Sequence, residues 1–269
     1  MKKYSIIHLP VLSFFSKDLY RDVGLNWKGI CFGYLFIFLA ICWIPIMVKI
    51  HTGFARFVKN DAPTIVEQVP EIKITDGRVS IKEPQPHFIR EPDTNQIIGV
   101  IDTTGSIESP ADANAFFLLT DNSIITVSNI ETRSIDLSQI KSFTISGDGI
   151  MKFLHTAKKY LIIIMYPLAL LSSYVYRIIQ ALIYAAIGLL FASTCKVTLS
   201  YGALLRLAVA AMTPCMIIKM IFGLAGVAFP CIGILYILII LAYLYFGVYS
   251  CSQTPPAEQV LQVPEQTQF

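Results

Sequence analysis

A long part of this chain carries no carboxylate. From Gly149 to Ala257 there is no Asp or Glu, although the 269-residue chain contains 18 acidic residues. A soluble fold of that length needs charged surface, whereas a lipid-embedded segment avoids it because a charge at the bilayer centre costs roughly 2.5–3.5 kcal/mol. Only 14% of the residues are charged, whereas about a quarter are charged in soluble domains. We therefore predict an integral membrane protein, and the net charge of +3 gives no indication of nucleic-acid binding.

The first apolar run, Ile30–Val48, is long enough to cross a bilayer. It has 19 residues without a charge, and at about 1.5 Å per residue this length matches a hydrocarbon core of about 30 Å. We therefore expect residues 30–49 to form the first transmembrane helix. The lysines and arginines before it place the N-terminus in the cytoplasm, because positive residues stay on that side.

Residues 1–29 are then expected to form a cytoplasmic N-terminal segment with an interfacial helix. Ser16 precedes the helical pattern and is a suitable N-cap. The cations Lys17, Arg21 and Lys28 are expected to meet lipid phosphates. The apolar surface of this segment is expected to come from Leu12, Phe14, Phe15, Leu19 and Val23.

Residues 50–157 are polar and form the predicted extracytoplasmic domain. From His51 to Ala157 there are nine Lys/Arg and fourteen Asp/Glu. Asp76-Gly77 predicts a two-residue hairpin turn in which Ile74 pairs with Val79. Further predicted strands complete a β-rich domain: Ile97–Ile101, Phe116–Thr120, Ser123–Val127 and Ser142–Ile145. The proline-rich stretch Glu83–Pro92 is predicted to be a loop or an edge strand, and Gly53–Gln68 a helix.

Residues 158–250 are predicted to form a C-terminal transmembrane bundle, and residues 251–269 a disordered tail. Two topologies remain open. In the first, one long helix runs from Pro167 to about Cys195, giving an α-helical transmembrane bundle of four spans. In the second, a hairpin at Ser172–Arg177 gives five spans. The positive-inside rule favours four spans because it keeps the next two cations, Lys196 and Arg206, in the cytoplasm.

Four polar residues form a stripe along the predicted long helix. Ser173, Arg177, Gln180 and Tyr184 recur at spacings of four, three and four, which places them on one helix face. An ionisable residue within a span must face protein or water and is a candidate functional site. The alternative is that Arg177 lies near an interface and extends its charge into the headgroups.

A second candidate lies in the polar domain, at Asp102, Thr103 and Thr104. The run Ile101–Gly105 is similar to the apolar-Asp-Thr-Gly loop of aspartic proteases, but it has one extra Thr and no second copy to supply the paired carboxylate. A strand that ends in a polar turn explains it better. The histidines and cysteines show no metal-ligand spacing, so we expect no catalytic residues, no metal site and no cofactor.

Several segments resemble the bacterial domain-of-unknown-function family eleven-eighty-nine. They are Ser13–Val23, Asn26–Gly29, Val100–Gly105, Tyr176–Tyr184 and Leu199–Ala208. Some members are labelled maltodextrin-utilisation (MalA-like) membrane proteins, a label that reflects gene neighbourhood and implies no function for this chain. The family is related to the Yip-type membrane clan. The resemblance implies a bacterial cytoplasmic (inner) membrane protein without an established activity, in which the Asp102 turn and the Arg177 stripe recur.

Three functions remain as hypotheses. The preferred one is a non-enzymatic organising or regulatory protein that contacts the lipid bilayer and binds an unidentified membrane or envelope protein. The second is a transporter or channel accessory component, suggested by the Arg177 stripe and by Pro214 and Pro230 in the last two apolar runs. The third is a membrane enzyme that acts at the outer face through Asp102.

Overall fold

The computed structural model describes residues 3–29, 31–127, 132–227 and 232–253. The chain forms two compact units. We call residues 1–49 with 165–269 the helical unit and residues 50–164 the β-rich unit. The predicted tail lies almost entirely outside the described residues, as does Pro230.

The secondary structure alternates between long helices and one run of strands. The helices are α1 Leu9–Leu12, α2 Lys17–Leu25, α3 Phe32–Asn60, α4 Ala62–Val66, α5 Gly147–Thr194, α6 Tyr201–Ala225 and α7 Ile232–Ser252. The strands are β1 Ile72–Thr75, β2 Arg78–Ser80, β3 His87–Arg90, β4 Ile97–Ile101, β5 Phe117–Leu119, β6 Ser123–Val127, β7 Thr132–Asp136 and β8 Ser142–Ile145. Among the described residues, α3, α5, α6 and α7 are long and apolar enough to cross a membrane.

Helix α5 decides between the two predicted topologies. It is one continuous helix of 48 residues, and its backbone passes through Ser172–Arg177 without a turn. The five-span alternative is therefore wrong. The physical reason is that this segment contains no Gly, Pro, Asn or Asp to end a helix. The helix also begins earlier than predicted, at Gly147, and it continues through Pro167.

The segment predicted as a separate helix, Gly53–Gln68, belongs to two elements. Helix α3 continues to Asn60, so its first part covers the predicted first span and its last part covers Gly53–Asn60. The short helix α4 follows, with Pro63 near its start, where a missing N–H costs nothing.

Helix α6 lies at the centre of the helical unit. Thirteen of its residues are buried, from Ala203 to Met216 except Arg206. A helix that is apolar on all sides belongs in the interior of a bundle. Its contact with α5 is close, because a Cβ at Gly188 would lie 3.2 Å from the Leu204 side chain.

The N-terminal segment packs into this bundle. Ser16 caps α2, accepting a hydrogen bond from the Leu19 amide at 3.2 Å, as predicted. Leu19, Tyr20 and Val23 are fully buried in the core of the helical unit. The apolar face predicted at Leu19 and Val23 is therefore present, and it packs against the protein core. The contact is possible because Gly247 of α7 leaves room: a Cβ there would lie 2.8 Å from the Tyr20 ring.

A buried carboxylate organises the N-terminal segment. Asp22 of α2 is only 3% exposed and accepts hydrogen bonds from the backbone amides of Lys3 and Tyr4 at 2.9–3.0 Å. It also accepts from the Asn26 side-chain amide at 2.8 Å and the Trp27 indole at 2.9 Å. Charge-assisted hydrogen bonds of this kind are stronger than neutral ones. Asp22 thus ties the chain before α1 to the chain after α2.

Arg206 of α6 fastens the end of α2 to the bundle. Its guanidinium donates to the carbonyl oxygens of Val23 at 3.0 Å, Gly24 at 3.2 Å and Gly29 at 3.1 Å. The last carbonyls of a helix have no partner within the helix and form the negative end of its dipole. One cation therefore satisfies acceptors that the helix itself leaves open.

The β-rich unit contains two sheets. One has the strand order β2-β1-β8 and the other the order β3-β4-β5-β6-β7. All pairs are antiparallel except β4 with β5. The predicted strands and the predicted Asp76-Gly77 hairpin are present, and the stretch Glu83–Pro92 holds the edge strand β3. Strand β7 was not predicted, because its residues are exposed on both faces and show no apolar alternation.

The first hairpin has the predicted register, with Ile74 opposite Val79. Asp76 and Gly77 both have positive φ angles, of 51° and 80°, as a type I′ turn requires. Gly77 also lies against backbone: a Cβ there would be 2.6 Å from the Ser138 Cα. Only glycine fits this position without displacing the chain.

Replacing Gly77 by Ala should therefore destabilise the β-rich unit by more than the cost of placing an alanine at a positive φ angle. Gly105 provides the matched control, since it has a φ of +78° and nothing within 4 Å of a Cβ built there. Gly105→Ala should cost about 1–2 kcal/mol, the penalty for a left-handed residue, and Gly77→Ala clearly more. Amide hydrogen exchange of β1 and β2 in the purified full-length protein measures the difference. Equal protection in the two variants would contradict the backbone contact.

The Asp22 hydrogen bonds predict a second stability effect. Asp22→Asn keeps one acceptor oxygen but turns an NH₂ group toward the donors, so the free energy of unfolding should fall by about 3 kcal/mol. Asp18→Asn is the control, because Asp18 is exposed and has only a 4.0 Å contact with Lys3. Thermal unfolding of both variants in detergent checks this, and an equal small effect would contradict it.

Stability should also depend on pH through Asp22. Burial raises the pKa of this carboxyl, but the hydrogen bonds from Tyr4, Asn26, Lys3 and Trp27 together lower it below its usual value. The contribution of Asp22 to the free energy of unfolding is therefore complete above about pH 4. It is lost as the pH falls through the lowered pKa. Asp22→Asn should remove this part of the acid-induced loss.

Candidate functional site

The polar stripe of α5 forms a chain of hydrogen bonds. Arg177 donates from Nη1 to Oε1 of Gln180 at 2.6 Å, and Gln180 donates from Nε2 to the Tyr184 hydroxyl at 3.3 Å. The Arg177 guanidinium also lies 5.7 Å from the centre of the Tyr176 ring. The predicted spacing thus brings three of the four residues into direct contact.

These three residues line a cavity of about 590 Å³ in the helical unit. Its wall is formed by α5, α6 and α7, and it is mostly apolar. The lining residues are Tyr176, Arg177, Ile179, Gln180, Ile183, Tyr184, Ile187, Cys215, Lys219, Gly233, Ile234, Tyr236, Ile237 and Ile240. We call it the Arg177 cavity. The fourth predicted residue, Ser173, is half-buried one turn away and is not in this lining.

The charges of the Arg177 cavity have one sign. Arg177 lies on one wall and Lys219 of α6 on another, and no carboxylate is among the described lining residues. Both cations lie on apolar helices, where a charged side chain pairs with polar protein groups, water or an anion. The arrangement can therefore bind an anionic group.

Three lining residues were not predicted from the sequence: Lys219, Cys215 and Tyr236. Lys219 had a signal, because α6 contains only one other charged residue, Arg206. Cys215 and Tyr236 had none, since their approach to Arg177 depends on how α6 and α7 pack. Helical periodicity groups residues of one helix and not residues of different helices.

The Asp102 turn has a structural explanation. The Asp102 side chain is fully buried, and its Oδ1 accepts from the amide and hydroxyl of Thr104 at 2.9 and 2.6 Å. Its Oδ2 accepts from the Ile107 amide at 2.7 Å. Burial raises the pKa of this carboxyl, but these bonds and one from the Ser106 amide lower it below its usual value. The charged carboxylate holds the loop after β4 in place.

Thr103, the remaining predicted residue of this turn, connects the same loop to a neighbouring segment by hydrogen bonds. Its amide and hydroxyl both donate to Oε1 of Gln85, at 2.6 and 2.9 Å. Among the described residues, no group of three or more His, Cys, Asp or Glu side chains is placed to hold a metal ion.

Comparison with known proteins identifies relatives without a known activity. The chain is 27% identical over 124 residues to an uncharacterised protein of Rickettsia prowazekii (strain Madrid E), a match that covers 42% of this chain and 43% of that protein. The chain thus spans less than half the length of that relative. No solved structure matches. Residues 9–248 match the family described as "Protein of unknown function (DUF1189)". Because the match covers most of its length, the chain belongs to this family of proteins of unknown function.

Proposed function

We propose that this chain is a non-enzymatic protein of the bacterial inner membrane with an organising or regulatory role. In this proposal the N-terminus is cytoplasmic, four helices cross the bilayer, and the β-rich unit is extracytoplasmic. The helical unit binds a ligand in the Arg177 cavity, and the β-rich unit binds a membrane or envelope protein.

The Arg177 cavity is the observation that carries this proposal. It combines an apolar wall with two cations that have no acidic residue beside them among the described lining residues. Pockets with mostly apolar walls and a few polar groups are typical binding sites. Covalent catalysis uses a nucleophile and a base whose side chains are hydrogen-bonded to each other. The hydrogen bonds of the described lining residues include no such pair.

The outer-face enzyme hypothesis receives no support from Asp102, because its buried carboxylate is occupied by the loop that it holds. The transport hypothesis is still supported by the Arg177 stripe, but it is no longer supported by a helix broken at Pro214. Helix α6 continues unbroken through Pro214, whereas broken helices are what frame many transport sites.

The proposed orientation can be tested by cysteine labelling in intact cells. Asp93→Cys lies in an exposed turn of the β-rich unit, and Thr198→Cys lies in the exposed loop between α5 and α6. A membrane-impermeant maleimide should label position 93 in intact cells and position 198 only after permeabilisation. The unsubstituted chain, with its six natural cysteines, gives the baseline. Labelling of 198 but not 93 in intact cells would reverse the orientation.

Partner binding by the β-rich unit can be tested by site-specific photo-cross-linking. Ile135 of β7 and Phe143 of β8 are exposed apolar residues on edge strands of the two sheets, and edge strands offer unpaired backbone groups to a partner. A photoreactive residue at either position should recover one reproducible envelope protein in intact cells. The same residue at Asp93 is the control. Recovery of no protein, or only of a second copy of this chain, would refute the proposed partner.

A further inference from the structure

We propose that the Arg177 cavity binds an anionic phospholipid, with the headgroup phosphate on Arg177 and Lys219 and the acyl chains along the isoleucine wall. This inference rests on the proposed function and deepens it by naming the class of ligand. It is carried by the charge, the shape and the depth of the cavity.

The charge of the cavity calls for an anion. Arg177 donates one hydrogen bond to Gln180. Its remaining N–H groups and the Lys219 ammonium donate none to another described residue. No Asp or Glu occurs from Gly149 to Ala257, so α5 from that point, α6 and α7 cannot supply a counterion. An arginine fork matches two phosphate oxygens, and a lysine adds a point charge.

The shape of the cavity favours an amphiphile over a free anion. Six of its lining residues are isoleucines, contributed by α5 and α7. Ile183 of α5 and Ile234 of α7 are 55% and 61% exposed, so the mouth of the cavity between these helices opens to the outside of the bundle. In a membrane that surface faces acyl chains, and an apolar wall beside two cations matches a lipid at the junction of its headgroup and chains.

The depth of the cavity matches the position of lipid phosphates. Lys219 precedes the end of α6 at Ala225 by six residues, or about 9 Å of helix. Helix α6 is 25 residues long, about 37 Å, and exceeds a hydrocarbon core of about 30 Å. Lys219 therefore lies near one edge of that core, and Gly233 in the first turn of α7 lies at the same end of the bundle.

Native mass spectrometry of the purified full-length protein tests the inference. Phosphatidylglycerol should bind at least about tenfold more tightly than phosphatidylcholine with the same acyl chains. Both lipids carry the phosphate, but the choline cation makes phosphatidylcholine neutral and is repelled by Arg177 and Lys219. Arg177→Gln and Lys219→Gln should each reduce this preference by about tenfold. Lys82→Gln is the matched control, because Lys82 is an exposed lysine of the β-rich unit outside the cavity, and it should leave the preference unchanged.

Two further variants separate charge from folding and lipid from phosphate. Arg177→Lys keeps the charge and should retain part of the preference, which a merely misfolded variant would not. Ile237→Trp fills the apolar wall, so it should weaken phosphatidylglycerol binding. Inorganic phosphate alone should bind weakly and should not displace the lipid.

Equal binding of the two lipids, or an unchanged preference in Arg177→Gln and Lys219→Gln, would overturn the inference. Displacement of phosphatidylglycerol by millimolar inorganic phosphate would also overturn it, in favour of a free-anion site. The photo-cross-linking at Ile135 and Phe143 is independent of these results. Its failure refutes partner binding while leaving the lipid site in place, and the reverse also holds.

Discussion

A peptide group that lies in hydrocarbon must find its hydrogen bond within its own helix, because lipid offers no substitute. This constraint accounts for the continuity of the long helices. Pro45, Pro167 and Pro214 lie inside α3, α5 and α6, and none of them ends its helix. It also accounts for α5, in which Arg177 is carried through the bundle instead of marking a turn.

The same constraint explains the use of charge in the helical unit. Arg206 has a structural role besides its value as a topology signal. Its guanidinium donates hydrogen bonds to three carbonyl oxygens around the end of α2. Lys49 similarly donates to the carbonyl oxygens of Gly223 and Leu224 at the end of α6, at 2.9 Å each. Cations at helix ends thus satisfy backbone acceptors that the helices leave open. Arg177 and Lys219 differ from these two cations. Within the described part of the chain, neither of them donates a hydrogen bond to a backbone carbonyl oxygen.

Periodicity and turn chemistry in the sequence predicted much of the fold. The Asp76-Gly77 pair determined a hairpin and its register, and Ser16 identified the start of α2. Periodicity also grouped Arg177, Gln180 and Tyr184 correctly, because it reports which residues share a helix face. It could not show that Leu19 and Val23 face the bundle, since an amphipathic helix looks alike whether its apolar face meets lipid or protein. Strand β7 escaped detection because its residues are exposed on both faces.

The packing of α2 has a consequence for how the chain assembles. Helix α2 is made before α6 and α7, yet it packs against both of them. The Arg206 bond to Val23 joins residues 183 positions apart. Leu19, Tyr20 and Val23 do not have their full set of packing partners until α7 has been made and inserted. The N-terminal segment therefore has to remain unpacked while more than two hundred residues follow it. Its docking then closes the helical unit, so that α2 reaches its final contacts only after helices that are translated later.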